Sequence, residues 1–379
     1  METFDAIVIG TGGVGSAAAM HLAGRGARVL GLDRFPPGHD RGSSHGQTRI
    51  IRTAYFEHPD YVPLLRRAYT LWSQLEQHSG DRLFHRAGLL QIGAADGSVV
   101  RGVKQAAELH GLPIQEVTPA ECRKRFPGFR MEPDQLGQFE ANAGYLLVEQ
   151  CVIAHARLAT QRGADLRHGV EVRGWRPENG RVAVETDAGS FRAANLIIAA
   201  GAWSEKLISH LGVPLRVVRK PLYWFATQDD TYRQESGSPC FLYELPGHTV
   251  YGFPQIDARG VKAAEHSGGE PVANPLNVDR NLDAQDAADV GRLISAWLPG
   301  VTSRLVDHAT CMYTMSPDAH FIIDRHPEHP QVAFAAGLSG HGFKFTNVLG
   351  EVLSELALDG AASQAIGFLS LDRFAEARG

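Results

Sequence analysis

Apolar positions along this chain fall into two kinds of run. In the first kind they are consecutive and end at a glycine or an acid. FDAIVIG (Phe4–Gly10) is such a run, rich in β-branched residues, and predicts a parallel strand buried on both faces. SAAAMHLAGRGA then predicts a small-residue helix, and RVLGLD a second strand ending in Asp33. NLIIAAGAWS (Asn195–Ser204) repeats the strand pattern and ends in Gly201 before a helix. QVAFAAGLSGHGFKF (Gln331–Phe345) repeats it again and breaks at Gly337, Gly340 and Gly342 into a last helix. That helix carries an apolar stripe at Val348, Leu349, Val352, Leu353 and Leu356, with Glu351 and Glu355 opposite. In the second kind of run, apolar and polar residues alternate between Gly/Pro/Asn/Asp turns. AGLLQIG, GQFE, VVRKPLYWFAT, TVYGFP, GVKAAEH and HATCMYTM read this way and predict a mainly antiparallel sheet. The pattern therefore predicts a mixed α/β (α+β) protein of two domains. One, with a parallel sheet, comes from residues 1–85, 145–215 and 319–379. The other, antiparallel, comes from 86–144 and 216–318, and a ligand is expected between them.

The turn after the first strand, GTGGVG, sets Gly10, Gly12 and Gly15 in G-x-G-x-x-G spacing, and Asp33 follows Gly15 by 18 positions. Strand, glycines, helix, second strand and acid together predict a Rossmann-like dinucleotide site. Gly10 allows the tight turn, Gly12 lets backbone approach a pyrophosphate, Gly15 lets helix and strand pack, and Asp33 binds ribose. The helix N-terminus offers free N–H groups to the phosphates. The motif does not choose between NAD and FAD. The interleaved architecture and the small-residue strand end at Gly201 favour FAD, and no second complete glycine motif offers a nicotinamide site.

Composition narrows the partners. A length of 379 residues, 44% hydrophobic and 21% charged, fits a globular enzyme, and a formal charge of −5 argues against nucleic acid. No apolar run approaches the ~20 residues of a membrane span. The four cysteines are scattered, with no C-x-x-C, so neither a metal site nor a disulfide framework is expected, and the cytoplasm is the default compartment.

Several residue pairs point to chemistry. In GSSHGQTRIIR, Arg49 and Arg52 share a face if the segment is helical, and paired guanidiniums suit a carboxylate or phosphate; the alternative is a solvated basic turn. Lys262 and His266, four apart on an expected strand, point to one side. Lys262 sits between apolar neighbours, which reads either as a functional buried ammonium or as an exposed edge-strand lysine. Cys311 and Tyr313 share a strand face, where a lone cysteine is usually a small core residue. Lys344, at the glycine-rich start of the last helix, either stabilises negative charge or snorkels over the helix end.

With GSSHGQTRIIR-TAY, YVPLLRRAYTLW, the YGFP–VK–EH series, CMYT with HFIID, and GLSGHGFKF, the chain resembles the monomeric sarcosine oxidase and N-methyl-L-tryptophan oxidase family nearly end to end. These are FAD-dependent amine oxidases of the glutathione-reductase/D-amino-acid-oxidase type of fold. The resemblance implies FAD joined covalently through its 8α-methyl to the sulfur of Cys311. It implies that Arg52 and Lys344 hold a substrate carboxylate, that Tyr313, His266 and Tyr251 line the substrate pocket, and that Lys262 promotes reaction with oxygen. His45 and Arg49 would lie close to the flavin ring. Ser43, Phe343 and Lys344 join Gly201, Gly337, Gly340 and Gly342 in the cofactor-binding set. QTR stands where DTR is more familiar; RKPLYWF and EHSGGE lean toward the N-methyltryptophan branch, CMYT toward the sarcosine branch. The implied activity is oxidative demethylation of an N-methyl amino acid, giving amino acid, formaldehyde and hydrogen peroxide. A monomer acting on a small molecule and oxygen is expected. Rival readings are a cyclic imino acid or glycated amino acid on the same chemistry, an NAD-dependent dehydrogenase, and a non-enzymatic dinucleotide-binding regulator.

Overall fold

The consecutive apolar runs form the parallel centre of an eight-stranded sheet in the computed structural model, which describes residues 2–378. Thr3–Ile9 pairs in parallel with Val29–Asp33 on one side and Gly189–Ile198 on the other, and Gly189–Ile198 pairs in parallel with Val332–Ala336. The register brings Ile9, Leu32, Ile198 and Phe334 abreast. All four carboxyl ends therefore open at one edge, where ligands bind in sheets of this kind. Helices Gly13–Gly24, Val148–Gln161 and Thr346–Leu358 cover one face, and Leu207, Ile208 and Leu211 the other. This two-sided cover is why these strands read as unbroken apolar runs. Gly10 has φ +84°, and a Cβ there would lie 2.6 Å from the Ala199 carbonyl oxygen. A Cβ on Gly15 would lie 1.7 Å from the Gly10 carbonyl oxygen, so no larger residue fits where the first helix meets the strand.

The alternating runs form a nine-stranded sheet. Its longest pair joins Arg216–Thr227 to Val301–Met315, antiparallel from Arg216 opposite Met315 to Thr227 opposite Val301. One face packs on helix Ala284–Trp297 through Tyr223, Phe225 and Ile294. The other carries Leu222, Trp224, Tyr251 and Cys311.

A third, three-stranded sheet holds the Arg49 segment and corrects one expectation. Thr48–Ile51 is a strand paired with Gly144–Leu147, not a helix. The β-branched Thr-x-Ile-Ile run favours extension. The preceding Gly46 and Gln47 both have positive φ, 86° and 74°, and their N–H groups donate to Glu149. That turn feeds the chain into a strand, which ends at Ile51 and leaves Arg52 free of strand geometry.

Candidate active site

The carboxyl edge of the first sheet and the Cys311 face of the second enclose a cavity of about 1470 Å³, counting its open mouth. Asp33 is anchored at the end of its strand. Its Oδ2 accepts the Thr11 N–H at 2.6 Å and its Oδ1 the Phe35 N–H at 2.9 Å. A Cβ on Gly12 would meet nothing nearer than Ser44 Oγ at 3.8 Å, so the bare backbone there faces open space. The helix beginning at Gly13 has no acidic residue in its first turn, leaving the positive end of its dipole unopposed. A glycine cradle, an anchored acid and a helix end fit the pyrophosphate and ribose of FAD. Gly10, Gly12, Asp33, Ser43 and Gly201 line this cavity, as do Arg49, Cys311, Tyr313, Gly337, Gly340, Gly342 and Phe343. Gly15 lies beneath it as a packing residue.

Cys311 is buried on the cavity-facing side of its strand. Arg49 Nη2 donates to its sulfur at 3.1 Å and to the Ser43 carbonyl at 3.1 Å, while Nη1 donates to the Thr48 carbonyl at 2.9 Å. The guanidinium thus holds the sulfur at the cavity wall.

A second cavity, about 560 Å³ counting its mouth, shares Arg49, Tyr313, Gly340 and Phe343 with the first. Its lining mixes the apolar Ile50, Phe56, Leu89 and Leu242 with Arg52, Glu57, His341 and Lys344. Arg52 is buried between the rings of Tyr55 and Phe56, 4.3 and 4.4 Å from their centroids. Its Nη2 donates to both Glu57 oxygens, at 2.6 and 2.7 Å. Its Nη1, also buried, has no hydrogen-bond partner among the described residues. Lys344 Nζ donates to the His341 carbonyl at 2.8 Å and to Tyr55 Oη at 3.4 Å. Burial, then the Arg52 charge, pushes its pKa down to about 7. Burial alone would raise the Glu57 carboxyl, but Arg52, His341 and Lys344 outweigh it and hold Glu57 below its ordinary range. The cavity thus contains three cationic side chains, Arg49, Arg52 and Lys344, and one carboxylate.

His266 and Tyr251 line the same cavity, with His266 Nδ1 3.3 Å from Tyr313 Oη. Burial pushes His266 down to about 4, so the ring is neutral at pH 7. Lys262 lies over the Trp224 and Phe253 rings and His266 beside the Tyr251 ring, on the one sheet face expected of residues four apart. The strand covers Val261–Glu265 and His266 lies just beyond it. Lys262 lines neither cavity. Its Nζ donates to the carbonyls of Gly46 and Thr48 and to Thr48 Oγ1, and sits 4.7 Å from the Phe253 ring centroid. Nor is it an exposed edge lysine, since it is buried. His45 also lines neither cavity; burial pushes it down to about 3, and its Nε2 has no partner among the described residues.

Four residues escape a reading of motifs. Glu57 occupies Arg52, and His341 and Tyr55 hold Lys344. Glu140 accepts the N–H groups of Thr53 and Ala54 at 2.7 and 3.0 Å and so fixes the chain just after Arg52. A signal for Glu140 exists: it is an acid at the end of the alternating strand Gln135–Glu140. Among the described residues, no group of three or more His, Cys, Asp or Glu is placed to hold a metal, and no helix is long and apolar enough to cross a membrane.

Sheet order, glycine cradle and cavity define a dinucleotide-binding oxidoreductase fold. Comparison with known families makes this specific: residues 5–356 match the FAD dependent oxidoreductase family, and the chain belongs to it. The monomeric sarcosine oxidase of Streptomyces avermitilis is 41% identical over 381 residues, covering 99% of each chain. The N-methyl-L-tryptophan oxidase of Citrobacter koseri is 36% identical over 375 residues, covering 98% of this chain and all of its own. NikD, an unusual amino acid oxidase essential for nikkomycin biosynthesis, shares the fold, with a TM-score of 0.86 at 24% identity over 98% of both chains. The protein binds FAD and is an oxidoreductase acting on CH–NH groups with oxygen as acceptor.

Proposed function

We propose that this enzyme oxidises small N-methyl amino acids, with sarcosine the first choice. The observation that carries the reading is the second cavity, where buried Arg52 with a spare Nη1 and Lys344 face a space that joins the larger cavity at Arg49 and Tyr313. Such a site favours an anion, because Arg49, Arg52 and Lys344 line it with Glu57 as the one carboxylate, and excess buried positive charge is costly. Arg52 and Lys344 bind the substrate carboxylate and so turn its N-methyl group toward the shared wall, which is catalysis by positioning. FAD held by the Gly10, Gly12 and Asp33 cradle would supply two-electron oxidation of the N-methyl amine to its imine, with oxygen as final acceptor and hydrogen peroxide as product. Water then converts the imine to amino acid and formaldehyde. Neutral His266 and Tyr313 close the pocket without adding charge. We further propose that Cys311 carries FAD as an 8α-thioether, since its sulfur lies at the cavity wall under Arg49. Formation of formaldehyde and peroxide in equal amounts from sarcosine tests the activity; peroxide without formaldehyde contradicts it.

A larger substrate is the second reading. The apolar lining residues Phe56, Leu89 and Leu242 suit a side chain such as that of N-methyl-L-tryptophan. The reading also takes the enzyme as a cytoplasmic monomer; four free, buried cysteines are in keeping with a reducing compartment. It takes 1–85, 145–215 and 319–379 as the cofactor unit and 86–144 and 216–318 as the substrate unit. In support, the strands of the eight-stranded sheet all lie in the first set and those of the nine-stranded sheet in the second.

Two predictions follow from the buried lysines. With a free-enzyme pKa of about 7, Lys344 is mostly charged below pH 7, and a bound carboxylate favours the charged form. Binding of (methylthio)acetate is therefore tightest below pH 7 and weakens as pH rises, by up to about tenfold per unit until the bound-state pKa is passed. Titrations across pH check this, and Lys344→Met should flatten the profile. Lys262 acts at longer range. When protonated, Lys262 adds a positive charge behind the cavity wall that favours negative charge developing on oxygen, and burial holds its pKa well below the usual lysine value. Lys262→Met should slow aerobic reoxidation by at least about tenfold and change anaerobic reduction far less, as read by stopped flow.

A further inference from the structure

Among the described residues three lysines are buried: Lys220, Lys262 and Lys344. Lys262 and Lys344 belong to the proposed chemistry; Lys220 has no part in it. Lys220 stands on Arg216–Thr227 directly across from Cys311, and Val218 stands across from Tyr313. Side-chain alternation puts Lys220 on the same sheet face as Cys311 and Tyr313. Yet it lines neither cavity. Its ammonium passes 5.4 Å from the Tyr313 ring centroid and donates to the carbonyl of Ser267 at 2.7 Å and of Gly268 at 3.4 Å.

The turn so held begins at His266. Gly268 and Gly269 take φ values of +65° and +121°, so the turn lacks intrinsic stiffness. The lysine stem fills the space beneath it: a Cβ on Gly269 would lie 3.1 Å from Lys220 Cδ. Burying an ammonium on two carbonyls costs free energy that an apolar side chain would not. Burial accordingly pushes its pKa down to about 8. The return is geometric, because the ammonium touches the two elements that carry His266 and Tyr313, whose polar atoms meet at 3.3 Å.

We propose that Lys220 is a positioning residue for the substrate cavity, fixing His266 and Tyr313 relative to each other by holding the Ser267 and Gly268 carbonyls beneath the Tyr313 ring. The proposal rests on the reading of His266 and Tyr313 as substrate-cavity residues. Its test is steady-state oxidation of sarcosine by FAD-loaded Lys220→Met, Lys220→Arg and His266→Ala enzymes. Lys220→Met, which loses two hydrogen bonds, should raise KM by about tenfold or more, with (methylthio)acetate binding weakened in parallel. Its kcat should stay within about threefold, and Lys220→Arg, which keeps the donors, should restore KM. If Lys220→Met does not load FAD, Lys220→Gln takes its place, with an intermediate rise in KM expected. An unchanged KM in Lys220→Met while His266→Ala raises it overturns the proposal and leaves the reading of the cavity intact. An unchanged KM in both overturns that reading as well. Equal losses of kcat in Lys220→Met and Lys220→Arg at constant KM overturn the positioning role in favour of a structural one.

Discussion

Arg52→Gln is expected to lower kcat/KM for sarcosine by at least ~30-fold. Truncating one partner of a buried, hydrogen-bonded charge pair costs about 2–5 kcal/mol. Here the loss falls twice. The substrate carboxylate loses its guanidinium, and Glu57, which now receives two hydrogen bonds from Nη2, is left half-buried without its main partner. The unpaired Glu57 then repels an incoming carboxylate. Arg52→Lys should recover little, since an ammonium cannot serve Glu57 and a substrate carboxylate in the planar, forked manner of a guanidinium. Peroxide release across sarcosine concentrations checks this, with FAD content measured to confirm an intact cofactor site. A variant with wild-type kcat/KM would remove Arg52 from the substrate site.

Cys311→Ala is expected to abolish covalent attachment altogether. Acid precipitation of the wild-type protein should leave yellow colour with the polypeptide, whereas the variant should release all its flavin. The expectation rests on placement: the sulfur is buried at the cofactor-cavity wall, held by Arg49 at 3.1 Å. The FAD cradle at Gly10, Gly12 and Asp33 is built from other segments, so the variant should still bind FAD without the bond. Release of all flavin from the wild-type protein would contradict the proposal.

Much of this architecture is legible in the order of apolar residues. The paired centres of four strands, residues 6–9, 29–32, 196–198 and 332–336, are buried on both faces, and that burial is what consecutive apolar residues record. The pairing of Cys311 with Tyr313 follows from the two-residue period of a strand, and both line the larger cavity. What local pattern does not carry is partnership across the chain. Arg49 and Arg52 suit a helical face by spacing, but Glu149, about a hundred residues away, caps the Gly46–Gln47 turn that sends Arg49 into a strand ending just before Arg52. Lys262 has neighbours that imply burial, yet its partners, Gly46 and Thr48, come from that turn and the strand it feeds, and it lines neither cavity. Glu57 and Glu140 carry no motif at all; each acts on the Arg52 segment through contacts that only the tertiary fold creates.

The central claim is that two buried cations select a substrate bearing a carboxylate beside its secondary amine. Comparing kcat/KM for sarcosine and dimethylamine by peroxide release tests it most directly, because both offer an N-methyl carbon and only one offers the anion. The account predicts that dimethylamine is poorer by at least ~30-fold, the cost of leaving Arg52 Nη1 unpartnered and Lys344 without an anion. Equal values for the two amines would contradict it.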